Sequence, residues 1–423
     1  MGPEVEAAII AGGVGVLTVI AALYGTRKTS RDTRDGLNKQ LTEQREALDR
    51  TLKAQSDQLE QTLAEQRTRT LNERFATAAD RLGSDKPPAV RLAAVYAMAG
   101  LAEDWKENRQ TCVDVLCAYL RLPYEPDPGE EAPEPERLAF RANREVRHTV
   151  IRVITAHLKD GAAVSWQGLD FDFTGVVFDD GEFSGAAFSG GAVSFVNAAF
   201  TGGSVEFIDT RFSGSTVSFS GAAFTGGQIL FSGASFTGGK VFFPFAEFSG
   251  STVSFEGASF AGGTVEFEHV GFSGGTVMFA GATFSGGKVD FASAGFSGGE
   301  VNFMLAVFSG GEVGFRGARF TGGTVNFIGA EFSGSSVDFG GASFSGGTFG
   351  IAEAVFTGGE VGFGGAWFTG GTVMIGGTFS GGEVDFSNVR DWSCPPQFLW
   401  AGTPLGVKLP GKEGQSQASP GDP

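Results

Sequence analysis

VSFEGASFAGGTVEFEHVGFSGGT, residues 253–276, is one motif written twice. Val253 is followed by Phe255 two positions on, then by Ala258, Phe260 and a Gly-Gly pair, and the pattern resumes at Val265. The unit V-x-F-x-x-A-x-F-[ST]-G-[GS]-x has a period of twelve. One phenylalanine series runs from Phe188 to Phe368 in steps of twelve without an insertion. A second runs from Phe195 to Phe339 and continues as Ile351, Phe363 and Ile375. Large residues two apart follow strand periodicity, and Gly-Gly after Ser or Thr turns the chain, so each unit should give two short strands and a corner. No unit can bury its own phenylalanines, but stacked units build one aromatic core, which fits a chain with 42 Phe and 67 Gly.

Ahead of this array, DFDFTGVVFDDGEFSGAAF spaces Phe173, Phe178, Phe183 and Phe188 at intervals of five. This segment resembles the pentapeptide-repeat family, in which a small residue two before a central Leu or Phe defines each face and four faces make one right-handed coil. The likeness covers residues 168 to about 390, and the main array departs from it by lengthening alternate faces through the Gly-Gly corner. The resemblance implies a right-handed, four-sided β-helix with two units, 24 residues, per coil. A twelve-residue coil, as in some insect ice-binding solenoids, is the competing geometry. Position by position, the 24-residue reading separates a polar ladder (Ser204, Gln228, Thr252, Thr276, Glu300, Thr324, Thr348, Thr372) from a mixed one (Ala192, Thr216, Lys240, Thr264, Lys288, Glu312, Ser336, Glu360), and it is preferred. It expects Thr252 and Thr276 to stack directly, whereas the twelve-residue coil would place Thr264 between them.

Upstream, residues 7–24 are eighteen positions without a charge, close to the length that spans a bilayer. Glu4 and Glu6 precede them, while Arg27, Lys28, Arg31 and Arg34 follow. A signal peptide would carry a basic leader, so residues 1–26 are expected to be a single transmembrane anchor with the C-terminal portion in the bacterial cytoplasm. Residues 27–70 repeat every eleven: Leu37, Leu48 and Leu59 recur, as do Leu41, Leu52 and Leu63. Three helical turns take about eleven residues, so these leucines form one seam of a coiled-coil stalk and a homo-oligomer is expected.

Residues 71–160 read as four helices, LNERFATAADRLGS, PAVRLAAVYAMAGLAEDW, a segment around TCVDVLCAYLRL, and EPERLAFRANREVRHTVIRVITAHL. In the second, Leu92, Val95, Tyr96 and Ala99 suggest the buried stripe. This part resembles a segment often fused to pentapeptide repeats in membrane-anchored actinobacterial proteins. Residues 161–395 are then the solenoid and 396–423 a disordered Gly/Pro/Ser-rich tail.

No catalytic or cofactor-binding constellation emerges. His148 and His157 lie nine apart on one helix without a carboxylate motif, and His269 stands alone in the solenoid. Cys112, Cys117 and Cys394 match no metal spacing, and the first two read as packing residues. GASFTGGKV around Lys240 lacks the lysine and hydroxyl positions of a phosphate loop. Glu206, Glu266, Asp290 and Asp338 fall at outward strand positions, with no paired carboxylates at a set distance. The net charge is −17, and between Gly161 and Ser393 there are 21 acids against 6 bases, so direct nucleic-acid binding is not expected. The expected function is a non-enzymatic, membrane-tethered scaffold for a protein partner. The outward apolar residues Met304, Leu305, Val307 and Ile328 form its candidate patch. The acidity supports one alternative, a DNA-mimicking inhibitor or protector of a type II topoisomerase, as some pentapeptide-repeat proteins are. Ice binding through the threonine ladder is disfavoured by the cytoplasmic placement.

Overall fold

The computed structural model describes residues 31–83 and 85–411. The anchor expected over residues 7–24 and the last twelve residues lie outside them. Among the described residues no helix is long and apolar enough to cross a membrane. The chain divides into two units at Glu73/Arg74.

Helix α1 spans Arg31–Leu82. The separate helix expected over residues 71–84 therefore does not exist, because no glycine or proline interrupts the chain between Gly36 and Gly83. In the second unit follow α2 (Pro88–Asp104), a 3₁₀ turn (Lys106–Asn108), α3 (Arg109–Leu120) and α4 (Glu134–Leu158). Proline opens the first turn of α2 and of α4, where its missing N–H costs nothing. Ala94, Val95, Met98, Leu101 and Ala102 of α2 are buried together with Cys112, Val113, Leu116 and Cys117 of α3 and Val146, Val150 and Ile154 of α4. The stripe on α2 is thus rotated from the expected one, and Tyr96 is exposed. The rotation is set by Arg91, which turns inward to donate to the hydroxyl of Tyr119 (2.9 Å) and to Oδ1 of Asn143 (2.6 Å).

From Phe171 to Lys408 the chain is a parallel β-solenoid of about ten coils. Its register decides the coil length. Thr252 pairs with Thr276, while Thr264 pairs with Lys240 and Lys288, so strands one coil apart are 24 residues apart. The coil is not uniform. Within Ser259–Glu266 one strand runs straight through the Gly-Gly step with a shift of register, whereas the other half-coil breaks into Gly271–Phe272 and Thr276–Met278. The second strand expected of one unit and the first of the next are therefore fused across the Gly-Gly step in some half-coils, such as Ser259–Glu266, and separate in others.

Each coil of the main array points four phenylalanines or their aliphatic substitutes inward, and every phenylalanine of the two series is buried. Vertically the rings lie flat upon one another: Phe255 and Phe279 are 4.8 Å apart at 3°, and Phe279 and Phe303 4.7 Å at 5°. That spacing is the distance between paired strands, so the sheet imposes the stack. Within a coil the rings meet edge to face, as Phe267 and Phe279 do at 6.0 Å and 86°, the arrangement their quadrupoles favour. Burying each ring is worth about 2–3 kcal/mol. The corner glycines are required by position. At Gly275, where φ is +70°, a Cβ would lie 2.2 Å from the carbonyl oxygen of Ser251 one coil away.

The ends deviate from the period. The first pairings, Phe171 with Val193 and Phe178 with Phe200, are 22 residues apart because the five-spaced run is shorter. At the far end Phe356 pairs with Phe379, and Val384 with Val407, at 23. Residues 396–408 are accordingly not a disordered tail. They continue the coil after the motif has lapsed, with Phe398 and Trp400 stacked at 4.9 Å and Trp392 edge-on to Phe386.

Candidate functional site

The outward residues singled out from sequence are brought together. Met304 and Ile328 occupy equivalent places on successive coils, tied by the Leu305 N–H donating to the Ile328 carbonyl (2.9 Å). Met304 and Ile328 are each 39% exposed, Leu305 is 62% exposed, and Val307 is half-buried. Leu305 has φ of +57°, a conformation that costs a branched residue energy and that most other coils fill at this corner with Gly233, Gly257, Gly281 or Gly329. Its side chain reaches over Gly329 of the next coil, where a Cβ would meet Cδ2 at 2.9 Å. A strained leucine held in solvent does not improve the core, since Phe255 and Phe279 are fully buried in coils that carry Gly257 and Gly281 at the same corner.

A second concentration of polar contacts ties α4 to the first coils. Asp179 accepts from the Tyr124 hydroxyl (2.7 Å) and the Arg144 Nε (3.0 Å), and bonds His148 Nε2 (3.2 Å). Burial alone would raise its pKa, but the hydrogen bonds from His148 and Tyr124 and the charges of His148 and Arg144 outweigh it and hold the carboxyl at about 2. Arg144 also bonds Asp180 (2.9 Å). Arg147 is buried, donates to the carbonyls of Leu120 (2.7 Å) and Val177 (2.9 Å), and lies over the Tyr124 ring. A cavity of about 780 Å³ opens beside this network. Its charged lining balances, with Arg137, Arg141 and Arg144 against Asp127, Glu130 and Asp179, so no net field selects one sign of ligand.

The two helical histidines are engaged: His148 by Asp179, and His157 by Glu103 (2.9 Å) while its ring stacks on Trp166. Cys112 and Cys117 are buried, which pushes their thiols up to about 11 and about 12 and leaves them protonated and unreactive at neutral pH. On α1, Leu48, Leu52, Leu59 and Leu63 are exposed and Leu41 is half-exposed; the Leu37 side chain lies outside the described set.

Two features escaped the sequence reading. Glu360, Glu383 and Asp385 converge within 4.8 Å, because the short last coils align positions 23 apart, and Lys408 bonds Glu383 there. Phe245 is 69% exposed with φ of +60° and stacks on His269 of the next coil at 5.3 Å. Its signal was present, a Pro-Phe pair at a corner where the flanking coils carry Gly221 and His269.

Comparison with known proteins finds no matching family model, no similar curated protein and no similar solved structure.

Proposed function

We propose that this chain is a membrane-tethered, non-catalytic scaffold whose solenoid, a right-handed, four-sided coil of the pentapeptide-repeat kind, holds a protein partner at the corner built by Met304, Leu305 and Ile328. The observation that carries the reading is Leu305, a branched side chain kept in a strained conformation, mostly in solvent, where glycine would be cheaper. The uncharged run 7–24 supplies the anchor, the basic residues after it place the solenoid in the cytoplasm, and the leucine seam of α1 associates copies. A topoisomerase-directed DNA mimic is the second reading, favoured by the 21 acids against 6 bases of the solenoid.

The test uses the full chain in membranes as bait, wild type beside Met304→Ser with Ile328→Ser. The double variant is expected to keep its unfolding free energy within about 1 kcal/mol of wild type, as exposed positions do, while losing a partner that the wild type retains. A large drop in Tm, or retention of every partner, refutes a binding role for the patch. Inhibition of gyrase supercoiling by both proteins alike would favour the second reading.

A further inference from the structure

Of the six basic residues between Gly161 and Ser393, five are engaged. Arg211 meets Asp160, Lys288 meets Asp290, Arg316 leans to Asp338, Lys240 lies over Phe242, and Arg390 over Trp367. Among the described residues Arg319 has no such partner, and it is exposed. It closes one end of a surface trough of about 370 Å³ whose wall carries Phe245 and His269, the corner opposite in the coil to the Leu305 patch.

The trough is a column read across four coils. Glu247, Gly271, Gly295 and Arg319 stand at equivalent positions, each paired through the strand register with the next. The acid and the base are therefore three coil steps apart, roughly 14 Å at the usual strand spacing. Glu247 lies over Gly271, where an added Cβ would fall 2.1 Å from its Oε2, and bonds Ser273. Glu247 thus covers Gly271, while Gly295, with nothing within 4 Å of where a Cβ would stand, leaves the floor open before Arg319. In the neighbouring corner column the same coils carry Phe245, His269, Ser293 and Gly317.

We propose that this trough is the contact surface for a second copy of the chain, set antiparallel about a two-fold axis crossing the column between Gly271 and Gly295. Such an axis reverses the order of coils while keeping columns opposed, so each residue faces the one an equal distance beyond the midpoint. Glu247 then faces the other copy's Arg319, and Arg319 its Glu247. The open surface of Gly295 faces Gly271, where the only side chain is the Glu247 carboxylate lying over it. His269 faces Ser293, a donor–acceptor pair. Phe245 faces Gly317, whose φ is +65° and which offers no side chain against the ring. A parallel pairing about an axis along this column would oppose Glu247 to Glu247 and Arg319 to Arg319. In these two columns the antiparallel register gives each charged or bulky group a complement, and it explains why Phe245 is held exposed in a left-handed conformation. The surface is small, so the association is a weak one. It is separate from any association through the leucine seam of α1.

Cysteine cross-linking of the full chain in detergent separates the two. With Cys394→Ser removing the exposed thiol, Ser249→Cys plus Thr321→Cys, which face each other about the same axis and leave Glu247 and Arg319 in place, should give a covalent dimer on oxidation. Either single cysteine should not, because each lies roughly 14 Å from its own mate across the axis. Glu247→Arg should reduce dimer recovered with an amine- and carboxyl-independent cross-linker by about tenfold, and adding Arg319→Glu should restore it. Association through α1 responds to none of these changes. Equal cross-linking by the single cysteines indicates a parallel or random encounter, and no cross-link in any combination indicates a face that does not meet its own kind. Either result overturns the proposal.

Discussion

The solenoid and the helical segment before it are stabilised in opposite ways. In the solenoid one residue type does the same thing in every coil: Phe279 touches a phenylalanine above, another below and neighbours edge-on, and each of those does likewise. In the helical segment no contact recurs. Arg91, Tyr119 and Asn143 form one arrangement, and Arg144, His148, Tyr124 and Asp179 another, each made once between residues 28 to 55 apart. A repeated core spreads its stability along an axis, each coil depending on its two neighbours. A core made of single contacts places it in a few irreplaceable groups.

The largest break in this contrast should come from Phe279→Ala. It removes a fully buried ring from the middle of a stack, and rigid strand spacing prevents the neighbours from closing the gap. The expected cost is about 3–5 kcal/mol, read as a fall in denaturation midpoint. A loss below about 1 kcal/mol would mean the stack collapses around the hole.

Asp179 should show the other side. Its carboxyl is depressed from 3.8 to about 2 in the folded protein, so the folded state favours the ionised form. That contribution, about 2 kcal/mol, is complete above the unfolded value near pH 4 and is lost as pH falls from about 4 to 2. Asp179→Asn should remove this part of the acid sensitivity and lower stability at pH 7 by a similar amount. Unchanged acid unfolding in the variant would show that other carboxylates set it.

Smallest in stability is the pair Leu48→Asp and Leu59→Asp on α1. Both side chains are exposed, so the unfolding free energy of the second unit should change by less than about 0.5 kcal/mol while sedimentation shifts from oligomer to a smaller species. An unchanged sedimentation profile would reduce α1 to a spacer.

The same contrast explains what could be read in advance. The 24-residue register, the inward phenylalanines and the stacking of Thr252 on Thr276 follow from a period, because a repeat states its contacts in the sequence. The helices α2, α3 and α4 were legible from apolar spacing and proline, but the phase of α2 was not, since it depends on Arg91 reaching two residues far along the chain. The Asp179 cluster was invisible for the same reason. Residues 396–408 were misread because the coil outlasts its motif, held by Trp392, Phe398 and Trp400 in place of the glycine corner. In the candidate patch Met304 and Ile328 were placed from register alone, whereas Phe245 was passed over although it breaks its own column.

Whether Leu305 is exposed in order to meet a partner is tested most simply by a photo-activated cross-linker. A benzophenone side chain at Leu305 of the full chain, irradiated in intact membranes, is compared with one at Glu353, two coils on at the same corner, also exposed and with φ of +56°. A partner-binding Leu305 gives one discrete heavier adduct from position 305 that disappears when Met304→Ser and Ile328→Ser are added, and none from position 353. No adduct at 305, or the same adducts from both positions, would contradict it.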